Sequence, residues 1–395
     1  RSVVLLCLLS VPSLLALPSS HLGPDVRAYL IDVADWIMTI DVGSNNLTNV
    51  GSEMKTSIFI NGNLARSLLG AYKVSKNVSY LNEGLRWCDT LVELQAPATT
   101  PRNESAGYWG AGYPVPGEGG DIYFGDTGTA VTALAVCHSL SDPARQATYM
   151  DAMLKFTRYV LDGTTVAPKG RGEKGCAGWL VKTGNDTGAL GCGYLSGHLS
   201  LPAYTISTAT TATAFFAELV ALRPDPSVAA VVEGAIKWLA KSVLQTGVIP
   251  YRLDGVEFPL TEWPLDTIAY VTEGVVAVSR HRPETQAWLA SAFRNTVEWL
   301  VATQNTDGSW GTLRSQDQQR SPRVLTLLSW WLSVPAADRP SSPTTADVQQ
   351  ASMRYLSYLT SQGATYGIKS LVRTTGMAGL ALADALEFGA TFVPE

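Results

Sequence analysis

Helix-period hydrophobicity recurs in paired segments along almost the whole chain, and that recurrence constrains the fold more than any single residue does. Apolar positions repeat every three to four residues over segments 24–40, 58–75, 78–95, 126–140, 143–162, 206–222, 226–245, 264–280, 284–304, 322–334, 345–362 and 370–388. Short turns such as Arg223-Pro-Asp-Pro and His281-Arg-Pro-Glu join the partners of a pair. Between pairs run longer loops rich in glycine and aromatics, including Gly107-Tyr-Trp-Gly-Ala-Gly-Tyr, Gly247-Val-Ile-Pro-Tyr, Asp307-Gly-Ser-Trp-Gly and Gly363-Ala-Thr-Tyr-Gly. A hairpin unit repeated in this way cannot bury its apolar face alone and must stack on its neighbours.

The two helices of a pair differ in chemistry. The first is small and apolar nearly all round, as in Thr127-Gly-Thr-Ala-Val-Thr-Ala-Leu-Ala, and therefore belongs inside. The second carries a charged face, as in 143–162, and belongs outside. An inner and an outer ring that close on themselves form an all-α, (α/α)6 double barrel of about six hairpins. The first helix pairs with the last, the long loops gather on one face, and residues 21–395 form one domain.

Residues 299–310, Trp-Leu-Val-Ala-Thr-Gln-Asn-Thr-Asp-Gly-Ser-Trp, place Gln304, Gly308 and Trp310 at a characteristic spacing. This segment resembles the QW repeat of terpenoid-cyclase-like α/α toroids, and similar turns occur in six-hairpin glycosidases and related lyases. The resemblance implies a structural role: Gln304 satisfies backbone groups at a helix end, Gly308 permits the turn, and Trp310 packs over it. The fold hosts cyclases, glycosidases, lyases and binding proteins, so it assigns no function by itself.

The compartment is read from the first residues. Val3 to Leu17 is an apolar run too short to span a bilayer, and it reads as the core of a secretory signal peptide covering residues 1–20. Four sequons, at Asn46, Asn77, Asn103 and Asn185, are expected to be exposed glycosylation sites. Four cysteines remain after the signal, and two disulfides are expected, Cys176–Cys192 and Cys88–Cys137. A net charge of −5 gives no reason to expect nucleic acid or an anionic membrane as partner. No later run is expected to anchor the chain in a membrane.

Candidate chemistry lies in the loops that enter inner helices. Asp121 and Asp126 flank one such entrance, and Glu262 and Asp266 another. Together the two entrances could supply the acid and the base or nucleophile of glycoside hydrolysis. Asp126 serves equally as an N-cap of the following helix, and Asp266 as a first-turn acid complementing the helix dipole. Trp109, Tyr113, Tyr123 and Trp263 could stack on sugar faces or simply pack. Tyr123, Tyr204 and His198 are the candidate bases of a lyase. Arg320 and Arg323, with Lys369 and Arg373, bring cations to two further entrances, where they pair with Asp121, Asp317 or Glu262 or hold an anionic sugar. The acid motifs of terpenoid cyclases, clustered histidines and phosphate-binding loops are missing, so no metal or nucleotide cofactor is expected. The sequence thus favours a secreted carbohydrate-active enzyme, hydrolase before lyase, acting on an extracellular and acidic glycan bound in the barrel mouth. A cyclase or isomerase with an apolar cavity and a non-catalytic secreted glycoprotein are the alternatives.

Overall fold

A computed structural model describes residues 25–40, 58–96, 107–110, 121–166, 174–195, 198–258, 264–310, 322–361 and 372–389. The signal segment and the sequons at Asn46 and Asn103 lie outside these ranges. Twelve long helices occupy the described residues. They are α1 Val26–Met38, α2 Ile58–Ser75, α3 Val78–Glu93, α4 Phe124–Leu140, α5 Pro143–Asp162 and α6 Thr205–Leu222, followed by α7 Pro226–Lys241, α8 Pro264–His281, α9 Gln286–Thr303, α10 Pro322–Ser333, α11 Thr345–Ser361 and α12 Val372–Glu387.

Helices α2, α4, α6, α8, α10 and α12 touch one another in that order, and α12 returns to α2, so the inner ring is closed. The outer helices sit against it, and α1 packs on α12 and α2 to complete the sixth hairpin. Local chemistry starts the outer helices. Asp142 and Asp225 cap α5 and α7 through bonds to backbone N–H groups, each followed by a proline at the first helical position, and Asn77 caps α3. Small residues let the inner helices approach closely. A Cβ at Gly128 would lie 2.6 Å from the backbone nitrogen of Thr211, and one at Gly62 2.9 Å from the Cα of Ala130.

Helix α6 is long and apolar enough to cross a membrane, but α4 and α8 flank it inside the barrel. Its centre, Thr208–Phe215, is wound as a π-helix whose residues are all buried. Threonines in this stretch bond outward to the neighbouring helix: Thr210 donates to the carbonyl of Gly125 at 2.7 Å and Thr211 to that of Phe124 at 2.5 Å. The widened turn brings both hydroxyls to the start of α4, and such bulges recur at functional sites.

The loops are not wholly irregular, as an all-α reading would have them. Short antiparallel strands β1 (Ile122–Tyr123), β4 (Gly193–Leu195) and β5 (His198–Ser200) form one sheet. Strands β2 (Thr164–Val166) and β3 (Lys174–Cys176) pair in a second, and β6 (Arg252–Leu253) and β7 (Val256–Glu257) in a third. The first and third sheets precede the N-termini of α4, α6 and α8.

Gln304 and Trp310 act as the resemblance implies. Gln304 donates to the carbonyls of Gly308 and of Ala351 on α11, and the Trp310 indole donates to the carbonyl of Leu300 at 2.6 Å. The same latch recurs at Gln95, Gly107 and Trp109. Gln95 donates to the carbonyls of Gly107 and of Ala152 on α5, and Trp109 to that of Leu91. At Gly107, Gly188, Gly247 and Gly308 the chain turns through positive φ directly against the backbone of the next outer helix. Gly247→Ala is expected to lower stability by more than about 2 kcal/mol, because its φ is +88° and the new Cβ would lie 2.1 Å from the carbonyl oxygen of Asn295. Gly184 has a φ of +82° and open space around it, so Gly184→Ala should cost only about 1 kcal/mol. Urea unfolding of the two variants measures the difference, which isolates the steric contact.

One expected disulfide forms. Cys88–Cys137 joins outer α3 to inner α4 across 49 residues, a loop whose closure contributes about 4 kcal/mol in the chain-entropy account. The expected Cys176–Cys192 bridge does not form, and both residues are thiols. Cys176 is held in the β2–β3 pair opposite Thr164, whereas the carbonyl of Cys192 accepts the N–H of Phe124 at the start of α4. Cys176 lies within β3, whereas Cys192 immediately precedes β4 of the other sheet.

Candidate active site in the barrel mouth

Contacts between the inner helices run in step along their lengths, Gly62 meeting Ala130, Gly128 meeting Thr211 and Trp330 meeting Ser279, so the helices of the ring run in the same direction. Phe59 meets Tyr270, Arg66 meets Glu273, and Arg280 meets Glu218, Asp384 and Glu387. The N-terminal ends therefore open at one end of the lumen, which is the mouth. Helices α2 and α8 stand opposite each other in the ring. On α2, Phe59, Asn63 and Arg66 follow the i, i+4, i+7 spacing of one helical face, as do Asp266, Tyr270 and Glu273 on α8. Because Phe59 and Arg66 reach across to Tyr270 and Glu273, these two faces line the lumen.

Asp126 lies in the first turn of α4 but is not its cap, contrary to the capping expectation. The helix begins at Phe124, and Tyr123 occupies the cap position without a side-chain cap bond. Asp266 is the third residue of α8, is buried, and lies at the mouth end of the lumen-facing stripe. Asp121 accepts a hydrogen bond from Tyr123 at 2.9 Å. Burial, that bond and the nearby carboxylates push the Tyr123 phenol far above its ordinary value. Burial raises the Cys192 thiol as well, reinforced by the charges of Asp126 and Asp121. Tyr204 is raised chiefly by burial and shares a 3.2 Å hydrogen bond with Tyr251. Both tyrosines are thus held protonated, and His198 is exposed on β5.

The remaining sequence candidates divide. Trp109 is 1% exposed and packs edge-on against Phe156, so its ring has no face for a sugar. Arg323, also 1% exposed, does not sit at the mouth as an anion receptor. It pairs with Asp384 at 2.6 Å and lies 3.8 Å from Glu273, partners other than those the sequence suggested. Arg373 is half-buried near the start of α12, with its guanidinium 5.2 Å from the Phe59 ring centre. Glu262, Trp263, Tyr113, Arg320 and Lys369 lie outside the described residues.

Below the mouth the lumen is occupied by a chain of charges that sequence reasoning missed. Arg66 bonds Glu273 at 3.1 Å, Glu273 and Asp384 flank Arg323, and Arg280 joins Asp384 to Glu218 and Glu387. His281 closes the series on Glu218 at 2.8 Å. The signal was present: Glu218 and Asp384 are single charges within small and apolar stretches, Phe216-Ala-Glu218-Leu-Val and Leu380-Ala-Leu-Ala-Asp384-Ala. Burial opposes ionisation of Glu218, but the hydrogen bond to His281 and the charge of Arg280 overcome it and lower the carboxyl from 4.5 to about 2. Asp384 is lowered too, since Arg323, Arg280 and Arg66 outweigh its desolvation. Carboxyls depressed by folding stabilise the protein above their unfolded values and lose that contribution as pH falls through the folded ones. Stability should therefore drop between pH 4.5 and pH 2, with Glu218 alone accounting for on the order of 3 kcal/mol. Urea titrations across that range test this, and Glu218→Gln should flatten the acid limb.

No protein-family model and no curated protein matches this chain. Solved structures do. An α-1,6-mannanase of a Salegentibacter species aligns with TM-score 0.61 at 11% identity, over 92% of this chain and 100% of its own. The architecture is an α/α toroid. A family 88 glycosyl hydrolase from Bacteroides vulgatus aligns at TM-score 0.57 and 11% identity, covering 93% and 99% of the two chains. A polysaccharide lyase aligns at 0.56 and 13%, covering 91% and 97%. At these identities the likeness is one of fold. A variant of the mannanase with two aspartates replaced by asparagine is described as inactive and was solved with α-1,6-mannotriose.

Proposed function

We propose that this protein is a secreted glycoside hydrolase acting at the toroid mouth on an extracellular glycan, with Asp126 and Asp266 as its carboxylates. The observation that carries the reading is their placement: first-turn residues of two inner helices, opening at the same end of the lumen, with neither at a cap position. One carboxyl would protonate the leaving oxygen while the other activates water or attacks the sugar. The shared fold with proteins named as a mannanase, a glycosyl hydrolase and a lyase supports carbohydrate chemistry. Hydrolysis is favoured over β-elimination because a carboxylate in the first turn of each of two inner helices matches the acid and the base or nucleophile that glycoside hydrolysis uses. The ion pairs crossing the lumen argue against an apolar cyclase cavity. Secretion is supported by the apolar run before residue 20, by the exposed sequons at Asn77 and Asn185, and by the Cys88–Cys137 bridge.

The test is a panel of neutral and acidic extracellular polysaccharides assayed for new reducing ends and for ultraviolet-absorbing unsaturated ends. Hydrolysis yields the first without the second. Unsaturated products would replace it with elimination, and binding without cleavage of any polymer would make the protein a lectin-like module.

A further inference from the structure

Four arginines stand on the inner helices: Arg66, Arg280, Arg323 and Arg373. The first three each lie within 4 Å of a carboxylate. Arg373 has no such partner among the described residues, and its Nε is buried without an acceptor. A half-buried guanidinium that pairs with no carboxylate among the described residues keeps its planar fork available to an anion.

We propose that Arg373 is the specificity-determining cation of an acidic-sugar subsite on the floor of the mouth, gripping a carboxylate or sulfate of the bound glycan. This deepens, and rests on, the reading of the mouth as a glycan site. Phe59 holds the guanidinium plane at 5.2 Å, and Tyr270 meets the same ring edge-on at 6.5 Å from the opposite side of the lumen. The guanidinium is thus seated on an aromatic pair that reaches across the lumen. Next to Arg373, the Thr374 hydroxyl is buried and unpartnered. One turn below Phe59, on the lumen face of α2, the Asn63 side-chain oxygen is also buried and unpartnered. The fork of Arg373 can hold a planar carboxylate or two sulfate oxygens in bidentate fashion. It also solves a problem set by Asp126 and Asp266, whose charges at the same mouth would repel an anionic substituent that lacked its own cation.

The test is calorimetric titration with three oligosaccharides of one backbone and length, uncharged, uronate-containing and sulfated, against the wild type and Arg373→Met. The expected result is that an acidic oligosaccharide binds the wild type at least tenfold more tightly than the uncharged one, and that Arg373→Met abolishes the preference. Preference for the uronate identifies a carboxylate, and preference for the sulfated ligand a sulfate. Equal affinities in the wild type, or a preference that survives in Arg373→Met, overturns the subsite and leaves the glycan reading standing. If none of the three binds, the glycan reading falls and the subsite with it. Should Arg373→Met fail to fold, Arg373→Lys keeps the charge and loses the planar fork. A severalfold loss of acidic-ligand affinity then supports the proposal, and unchanged affinity overturns it.

Discussion

Asp126→Asn is expected to lower kcat on the cleaved glycan by about 10²–10⁴-fold while leaving the fold intact. The substitution keeps the shape of the side chain and removes its ability to carry a proton or a negative charge. It should not disturb α4, because the helix starts two residues earlier and its cap position belongs to Tyr123. The backbone at this point is held from the other side, by the Thr210 and Thr211 hydroxyls on the carbonyls of Gly125 and Phe124. Asp266→Asn should show a loss of the same order. The informative comparison is activity per folded molecule, with circular dichroism and urea midpoint measured on the same preparations. Unchanged kcat in either variant removes that residue from the chemistry, and a collapsed midpoint with normal specific activity makes it a packing residue.

Arg323→Ala should destabilise the protein by about 3–5 kcal/mol, among the largest effects of any single substitution in the lumen. The loss is not the strength of one bond. Truncation removes the cation between Asp384 and Glu273. It leaves only Arg280, 3.6 Å from Asp384, and Arg66, 3.1 Å from Glu273, to offset two buried carboxylates, while the Thr326 hydroxyl at 3.1 Å from the Asp384 oxygen carries no charge. The double variant Arg323→Met, Asp384→Leu should recover much of the deficit, since it removes a charge of each sign. Arg66 would still hold Glu273, and Arg280 would still hold Glu218 and Glu387. Urea unfolding of the single and double variants checks both statements. A single variant within 1 kcal/mol of wild type would mean that water reaches the network.

The helices were legible because inner and outer segments carry different versions of the same period. Helices α2 and α5 begin and end where the pattern does, and ends elsewhere differ by a few residues, as at α7, which stops at Lys241. The Thr-Ala run of α6 carries nothing to mark its π-helix, whose extra residue per turn is set by packing against Gly128 and Gly274. The Gln304 latch was readable because Gly308 and Trp310 follow within six residues. Its twin was hidden because twelve residues separate Gln95 from Gly107, although the finished geometry is the same. At the site, residue type placed Asp126, Asp266 and Arg373 near helix entrances but could not tell which cations would be consumed. Arg323 and Arg373 look alike in the sequence. Only the depth of α10 in the barrel, which brings Arg323 level with Glu273 and Asp384, separates them.

The charge chain across the lumen also decides traffic. With Arg66 bridged to Glu273 and Arg280 knotted to three carboxylates below it, the barrel is a cul-de-sac. On the proposed reading a glycan would enter and its product would leave by the same doorway, so turnover would be exposed to competition from the product and release would govern the rate.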